Sequence, residues 1–249
     1  MTTTYLIAAL VTLAFTIVLT VAGLGAAFIL VPVYLALGVE MHSAQATALL
    51  LNAIAMAFAC ARYIPAKLVD FRVAIPIVIV ATILSPLGAY VSSYVPVTTL
   101  KWMFIGFLIF AGAMMLFYRP KPHEPAGRGE LLGVGVGVGG AAGFFGGMLG
   151  VGGGNFVVPA LVWLGLDAKR AAGTTAFVVV FASFTGFLGQ ASVASIDTTL
   201  LAWTAAASVI GALIGSWLMH RKLQAAQVKT SIGVLLFFIA ATMAWKLLT

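Results

Sequence analysis

The chain has 249 residues, of which 63% are hydrophobic and only 8% are charged, and its mean hydropathy is +1.16. A soluble domain of this size could not shield such an apolar composition from water, so the chain is predicted to be an integral membrane protein. Its 13 Lys and Arg outnumber six Asp and Glu, but they are scattered between apolar runs, which argues against a nucleic-acid binder and indicates membrane topology.

Eight apolar runs follow one another along the chain. Six are about 20 residues long, the length of one helical crossing: residues 43–62, 71–94, 98–118, 171–190, 198–219 and 228–248. The other two, residues 5–39 and 131–166, are about 35 residues long and carry glycine clusters at their centres. Clustered glycines weaken a helix and permit a sharp reversal, so each long run is either one kinked crossing or a hairpin of two shorter helices.

The two long runs contain the same passage, which is repeated 127 residues later along the chain. GLGAAFILVPVYLALGVE at residues 23–40 corresponds to GVGGGNFVVPALVWLGLD at residues 150–167, and the register continues to the matched pair Asp70 and Asp197. A duplicated unit of about 100 residues explains this spacing, and duplication in so apolar a chain is typical of transporters. We therefore divide the chain into a first membrane repeat (1–118), a cytoplasmic linker (119–130) rich in proline and charge, and a second membrane repeat (131–249).

The distribution of positive charge separates the two interpretations of the long runs. If each long run crosses once, the 13 cations divide seven to six between the faces, which is no bias. If each is a hairpin that returns to its own side, eleven share one face and only Lys101 and Lys246 lie opposite, which is a strong positive-inside signal. The sequence thus predicts an all-α integral membrane protein of two inverted repeats, each a glycine-broken, re-entrant helical hairpin followed by three transmembrane helices, with both termini outside.

The hairpin tips are the main candidate binding site. In each tip a Gly-x-Gly turn opens a short helix whose first amides have no intrahelical partners, and these amides together with the helix dipole favour an anion. Inversion would bring the two tips together near the midplane, where they could hold one small oxyanion. The glycines concerned are Gly23, Gly25, Gly150, Gly152, Gly153 and Gly154. The alternative is that these glycines only permit close helix packing.

Polar residues near the tips are candidates to complete the coordination. Asn155 directly follows Gly154, and its counterpart in the first repeat is Phe28; its alternative role is a helix cap. Hydroxyl and amide groups near the start of the next helix could assist: Gln45, Thr47, Asn52, Thr174 and Thr175. Ser183, Thr185 and Gln190 are weaker candidates to line a path. Such hydroxyls otherwise bond to their own helix backbone.

Several other chemistries are disfavoured. The acidic residues fall at segment ends or in the linker, which argues against a buried proton relay, and Asp70 and Asp197 are predicted to cap helices. Cys60 is the only cysteine, and no phosphate loop of the Gly-Lys-Ser type is present, so the sequence predicts neither an enzyme nor a cofactor or metal site. The glycine-rich run at residues 133–147 superficially matches a dinucleotide fingerprint, but it lies in a membrane segment.

The paired motifs GLGAAFILVP and GMLGVGGGNFVVP, each followed by a Gly-Val-Glu or Gly-Leu-Asp turn and an Ala-x-x-Thr, resemble those of the sulfite exporter TauE/SafE family. The resemblance covers essentially the whole chain. The first motif departs from the second in having Ala26, Ala27 and Phe28 where the second has Gly153, Gly154 and Asn155. The resemblance implies a permease of the bacterial inner membrane that exports sulfur-containing anions such as sulfite, sulfoacetate or related organosulfonates.

The expected activity is secondary transport of a small sulfur oxyanion by alternating access, with the lipid bilayer as surroundings and no nucleic-acid partner. A membrane potential that is negative inside drives an anion outward by about 2.3 kcal/mol per charge per 100 mV, so export would need no coupled ion. Two alternatives stay open: an anion channel whose filter is the same pair of tips, and a membrane assembly subunit that transports nothing. The sequence also leaves open a homo-oligomer.

Overall fold

The computed structural model of the protein describes residues 2–117, 128–219 and 225–248. These ranges form ten α-helices and contain no strand. The helices are α1 (Thr2–Val21), α2 (Ala27–Ala36), α3 (Met41–Tyr63), α4 (Phe71–Ser92), α5 (Val97–Phe117), α6 (Arg128–Leu149), α7 (Gly154–Trp163), α8 (Ala168–Ala191), α9 (Thr198–Leu218) and α10 (Ala225–Leu248). The predicted linker contributes its last three residues to α6, and its residues 119–127 lie outside the described part.

Six of the helices in the described ranges are long and apolar enough to cross a membrane, namely α1, α3, α4, α5, α8 and α9. Large apolar side chains on their outer faces are exposed, as Ile83 and Phe117 illustrate at 65% and 78%. An aqueous surface would make this exposure costly, whereas lipid accepts it. The prediction of an all-α membrane protein is therefore confirmed.

The helix order repeats after α5. The bounds of α2 and α7 coincide when one helix is shifted by the offset that separates the sequence motifs, and both helices have ten residues. Ten residues span about 15 Å, which is half of a bilayer core. Within the first half, Thr12 of α1 lies beside Tyr34 of α2, with their hydroxyl oxygens 3.0 Å apart.

Equivalent helices of the two halves pack against each other in opposite directions. Gln45, near the start of α3, bonds Gln190 near the end of α8, whereas Asn52 bonds Ser183 in the middle of both helices. Likewise Gly112 of α5 faces Phe237 of α10, and Gly233 of α10 faces Leu116 further along α5. The first half and the second half are thus held together by antiparallel pairs of corresponding helices.

The two halves also contact each other through other helices, since α4 packs along α6 and α1 packs along α9. Glycines spaced four residues apart on α6 form the contact with α4. A Cβ at Gly139 would lie 2.9 Å from the Ile77 carbonyl oxygen, and one at Gly143 would lie 2.6 Å from that of Ala81. The glycine-rich run of α6 is therefore a surface for close helix packing.

Candidate functional site

Two glycine turns, residues 22–26 and 150–153, connect the first two helices of each half. Gly23, Gly25, Gly150, Gly152 and Gly153 all have φ between 69° and 74°. This left-handed region is strained for residues with a Cβ, so glycine is required for the reversal. The turns predicted from the two glycine clusters are present at the expected positions.

The two turns meet at Asn52 in the interior of the protein. A Cβ on Gly25 would collide with the Asn52 carboxamide, and a Cβ on Gly152 would lie 2.5 Å from both Asn52 Nδ2 and Ser183 Oγ. A Cβ on Gly154 would lie 2.6 Å from the carbonyl oxygen of Leu24 in the opposite turn. The absence of side chains at these glycines lets both turns approach the same carboxamide.

Asn52 is 1% exposed, and its carboxamide is only half satisfied. Its Nδ2 donates to Ser183 Oγ at 3.0 Å, whereas Oδ1 has no hydrogen-bond partner. An unsatisfied buried polar atom costs about 1–3 kcal/mol, and four threonine hydroxyls of the described residues share this state with Oδ1. The carboxamide and the two turns are the polar centre of the structure.

The short helices α2 and α7 begin at these turns. Their cap positions, Ala26 and Gly153, provide no side-chain hydrogen bond to the first amides. Uncapped amides and the positive end of the helix dipole therefore lie at each turn. Asn155, the second residue of α7, is 5% exposed and does not occupy the cap position, so the alternative role as a cap is not observed.

A second polar cluster lies two helical turns from the centre along α3 and α8. Gln190 Nε2 shares its two hydrogens among three acceptors: Ser92 Oγ at 2.9 Å, Gln45 Oε1 at 3.2 Å and the Gly147 carbonyl oxygen at 3.3 Å. Gln45 in turn donates to the carbonyl oxygen of Met148 at 3.1 Å. Gly150 packs against the Gln45 side chain. Gln45 thus belongs to a hydrogen-bonded cluster with Gln190, and this cluster is separate from the contact between Asn52 and Ser183.

The three threonine candidates are buried, and a hydrogen-bond partner is seen for Thr174. Thr174 Oγ1 accepts a hydrogen bond from the backbone N–H of Asp70 at 2.9 Å. Thr175 is fully buried and its hydroxyl has no partner, and Thr47 is 2% exposed. Gly23 packs against the backbone of Ala172, two residues before Thr174. Thr174 is accordingly engaged by the loop before α4.

Ser85 is a buried polar residue that the sequence did not indicate. Its hydroxyl donates to the Ala182 carbonyl oxygen at 2.6 Å, and it lies against Gly147 and Gly186. Its counterpart in the second repeat is Ala212, so the repeat pattern offers no signal for it. Thr185, by contrast, bonds the Phe181 carbonyl oxygen of its own helix, as expected for a hydroxyl in a membrane helix.

The polar centre is not duplicated, although the fold is. Asn52 corresponds to Val179 and Ser183 corresponds to Met56, and both counterparts belong to one apolar cluster. The two sides of the α3–α8 contact are therefore chemically different, one polar and one apolar. This contact thus carries one such centre and not two.

Charged residues lie at helix ends. Asp70 accepts from the Arg72 N–H, and Asp197 accepts from the N–H groups of Thr199 and Leu200, so their predicted capping role is confirmed. The hydrogen bond from Leu200, with a further one from the Tyr5 hydroxyl, lowers the pKa of Asp197 below its usual range. Arg170 Nη2 lies 2.9 Å from Asp70 Oδ2.

Metal ligands do not gather in the part of the chain that the structure describes, where no three of His, Cys, Asp and Glu lie close enough to hold an ion. Each described acidic residue lies at or near the start of a helix. The interior therefore offers neutral polar groups and backbone amides as its binding chemistry.

Comparison with known proteins places the chain in a family. The sequence model of the sulfite exporter TauE/SafE family matches residues 7–243. The chain is also similar to the probable membrane transporter protein YunE of Bacillus subtilis (strain 168), with 26% identity over 206 residues that cover 74% of each chain. No solved structure matches the chain. The chain therefore belongs to the sulfite exporter TauE/SafE family and is a multi-pass membrane transporter.

Proposed function

We propose that the protein is a permease that exports a small sulfur oxyanion, such as sulfite or an organosulfonate like sulfoacetate, across the bacterial inner membrane by alternating access. The observation that carries this proposal is the meeting of two uncapped helix N-termini at one buried carboxamide, Asn52. In this proposal the anion is held by the backbone N–H groups at Gly25 and at residues 152–155, and the donors Asn52 Nδ2 and Ser183 Oγ orient it.

The chemistry of the centre supports an anionic substrate. Helix N-termini bind anions through free amides and the helix dipole, and a low-dielectric interior strengthens both contributions. No described acidic side chain lies there to repel an anion. Tetrahedral or pyramidal oxyanions present several acceptor oxygens, which match donors arriving from opposite directions.

Two inverted repeats with re-entrant hairpins are the architecture that we propose for this permease. The antiparallel packing of α3 on α8 and of α5 on α10 supports inversion, because corresponding helices then cross the bilayer in opposite directions. The contact between Thr12 and Tyr34 supports a hairpin, since it requires α2 to return along α1. The ion pair of Arg170 with Asp70 supports placing both cation-rich loops on one face, the cytoplasmic one.

The driving force in this proposal is the membrane potential. A potential that is negative inside favours outward movement of an anion by about 2.3 kcal/mol per charge per 100 mV. Neutral polar groups at the centre suit such uncoupled export, because no described carboxylate is available there to carry a proton with the substrate. Cations at the cytoplasmic ends, including Arg62 and Lys169, would concentrate the anion at its entrance.

Replacement of Asn52 tests the site. Asn52→Leu keeps the volume but removes the carboxamide that both turns contact, so we expect sulfite binding to the purified protein to weaken at least tenfold. Isothermal titration with sulfite and with sulfoacetate measures the affinity. Thr185→Val is the matched control, because the Thr185 hydroxyl bonds only its own helix, and it should bind as the native protein does. Equal affinity of the Asn52 variant and the native protein would remove this centre from substrate binding.

A further inference from the structure

In each half, a hydrogen bond links the end of the third helix to the end of the first helix. The helices are α3 and α1 in the first half, and α8 and α6 in the second half. Tyr63, the last residue of α3, donates its hydroxyl to the Thr20 carbonyl oxygen of α1 at 2.8 Å. Gln190, the last but one residue of α8, donates to the Gly147 carbonyl oxygen of α6 at 3.3 Å. Both side chains are completely buried. Each bond therefore joins helices that are far apart in sequence.

The two bonds are equivalent under the sequence repeat. Tyr63 and Gln190 are separated by the same offset as the repeated motifs, and so are Thr20 and Gly147. Donor and acceptor thus correspond, although a phenol has been replaced by a carboxamide and Thr by Gly. Retention of the same link by two chemically unlike side chains indicates that the link itself has a role in both halves.

The two bonds lie on opposite sides of the candidate site. Tyr63 follows Asn52 by eleven residues, about 16 Å along α3, and Gln190 follows Ser183 by seven residues, about 10 Å along α8. Because Asn52 and Ser183 are in contact and α3 and α8 are antiparallel, these distances run in opposite directions. The two bonds therefore lie toward opposite ends of the α3–α8 pair, with Asn52 and Ser183 between them.

The surroundings of the two bonds differ. Tyr63 packs in an apolar cluster with Met56, Ala59 and Cys60, and its hydroxyl makes one bond. Gln190 also bonds Gln45 and Ser92, so it connects four helices. In the structure both bonds are made at once.

We propose that Tyr63 and Gln190 are the two latches of alternating access, each holding one end of the transporter closed, and that transport releases them in turn. This inference rests on the proposed transport function. A single hydrogen bond to a backbone carbonyl is worth a change of about three- to tenfold in a two-state population, so its loss shifts the equilibrium between end-open states without unfolding the protein. Loss of one latch raises the population of the state that is open at its own end. The state that is open at the opposite end becomes less populated, so the opposite end is closed more of the time.

Thiol accessibility measures the two ends separately. Cys60 is the only cysteine, is 5% exposed and lies one helical turn before Tyr63, so it reports on the Tyr63 end. Ala89→Cys in a Cys60→Ala background reports on the other end, because Ala89 is fully buried and lies against Gly189, next to Gln190. The rate of alkylation by a membrane-impermeant maleimide is measured in proteoliposomes without substrate.

Tyr63→Phe removes the hydroxyl and keeps the ring, and Gln190→Leu removes the carboxamide at similar volume. We expect Tyr63→Phe to raise labelling of Cys60 about three- to tenfold and to lower labelling of the Ala89→Cys thiol. Gln190→Leu should shift both rates in the opposite direction by at least as much, because it also removes the bonds to Gln45 and Ser92. Gln190→Glu, which replaces the donor by an acceptor, must shift labelling in the same direction as Gln190→Leu.

Ser216→Ala and Ser192→Ala are the matched controls, since each removes a hydroxyl that bonds only its own helix at one of the two ends. They should leave both labelling rates unchanged. Variants that raise labelling at both ends, or that behave as the controls do, would overturn the latch proposal. The readout uses no substrate, so a sided response without sulfite transport would leave the latches standing and refute the proposed substrate.

Discussion

Two helices of this transporter each carry a pair of buried polar residues that are seven positions apart. Gln45 and Asn52 lie on one face of α3, and Ser183 and Gln190 lie on one face of α8, because seven residues make two helical turns. The polar character of these residues in apolar runs is readable from the sequence. Their pairing is not, since a single sequence does not tell which helices are in contact.

Thr174 makes a contact that the sequence motif did not indicate. Its repeat counterpart, Thr47, and its place after the glycine turn indicated a ligand for the anion. In the structure its hydroxyl accepts the N–H of Asp70, more than a hundred residues away. A contact of such separation depends on how the α3–α4 loop crosses α8, which no local pattern encodes. The role of Thr174 in binding stays a prediction.

Gly152→Ala tests the close approach of the second turn to Asn52. The new methyl group would lie 2.5 Å from Asn52 Nδ2 and Ser183 Oγ, so one of these side chains must move. We expect sulfite affinity to fall at least tenfold, in addition to a stability loss of about 1–2 kcal/mol from the left-handed backbone. Titration and thermal unfolding in detergent measure the two effects.

Gly38→Ala is the control for backbone strain alone. Gly38 has a φ of 88°, and a Cβ there would meet nothing within 4 Å. The variant should lose about the same stability while keeping native affinity. If both variants bind sulfite equally well, the space around Gly152 has no part in binding.

The elements themselves were largely predictable. Runs of about 20 apolar residues became single helices, because in lipid every backbone group must be satisfied within the segment. The glycine clusters permitted two interpretations, a kink or a hairpin of two shorter helices. In the structure each long run forms one long helix, of 20 residues in α1 and 22 in α6, and one helix of ten residues after a glycine turn. The glycine-rich run in α6 was recognised as membrane helix, but its role in packing on α4 became visible only in the structure.

Asp197 links the start of α9 to α1, and its titration makes the stability of this contact depend on pH. Its carboxylate accepts two backbone N–H groups of α9 and the Tyr5 hydroxyl, and these bonds lower its pKa in the folded state. A lowered folded pKa contributes stability above the unfolded value of about 4, and that contribution is lost as the pH falls through the folded pKa. We expect Asp197→Ala to cost about 1 kcal/mol at neutral pH, measured by thermal unfolding.

Asp197→Asn separates the cap from the charge. The amide oxygen still accepts the α9 amides, so most of the stability at neutral pH should remain, but the carboxyl titration is gone. Unfolding temperatures measured from neutral to acidic pH should therefore fall less steeply for this variant than for the native protein. Parallel curves would show that Asp197 does not contribute to the acid dependence.

At the scale of the whole molecule, the repeat was visible in the sequence and its assembly was not. The constant offset between the matched motifs indicated two equivalent halves, and the charge count indicated that they are inverted. Nothing in the sequence indicated that α4 would pack along α6 and α1 along α9, so that each half completes the other. The repeat offset shows that Asn52 and Ser183 correspond to the apolar residues Val179 and Met56, but the contact between Asn52 and Ser183 became visible only in the structure.

Transport of a small sulfur oxyanion is the activity on which the proposed roles of the turns, Asn52 and the latches depend. Uptake of labelled sulfite and sulfoacetate into liposomes that contain the purified protein, with and without an imposed membrane potential and proton gradient, tests it most directly. We expect saturable flux of at least one of these anions that follows the potential and does not require the proton gradient. Absence of flux for both anions, or large unsaturable currents typical of a channel, would contradict it.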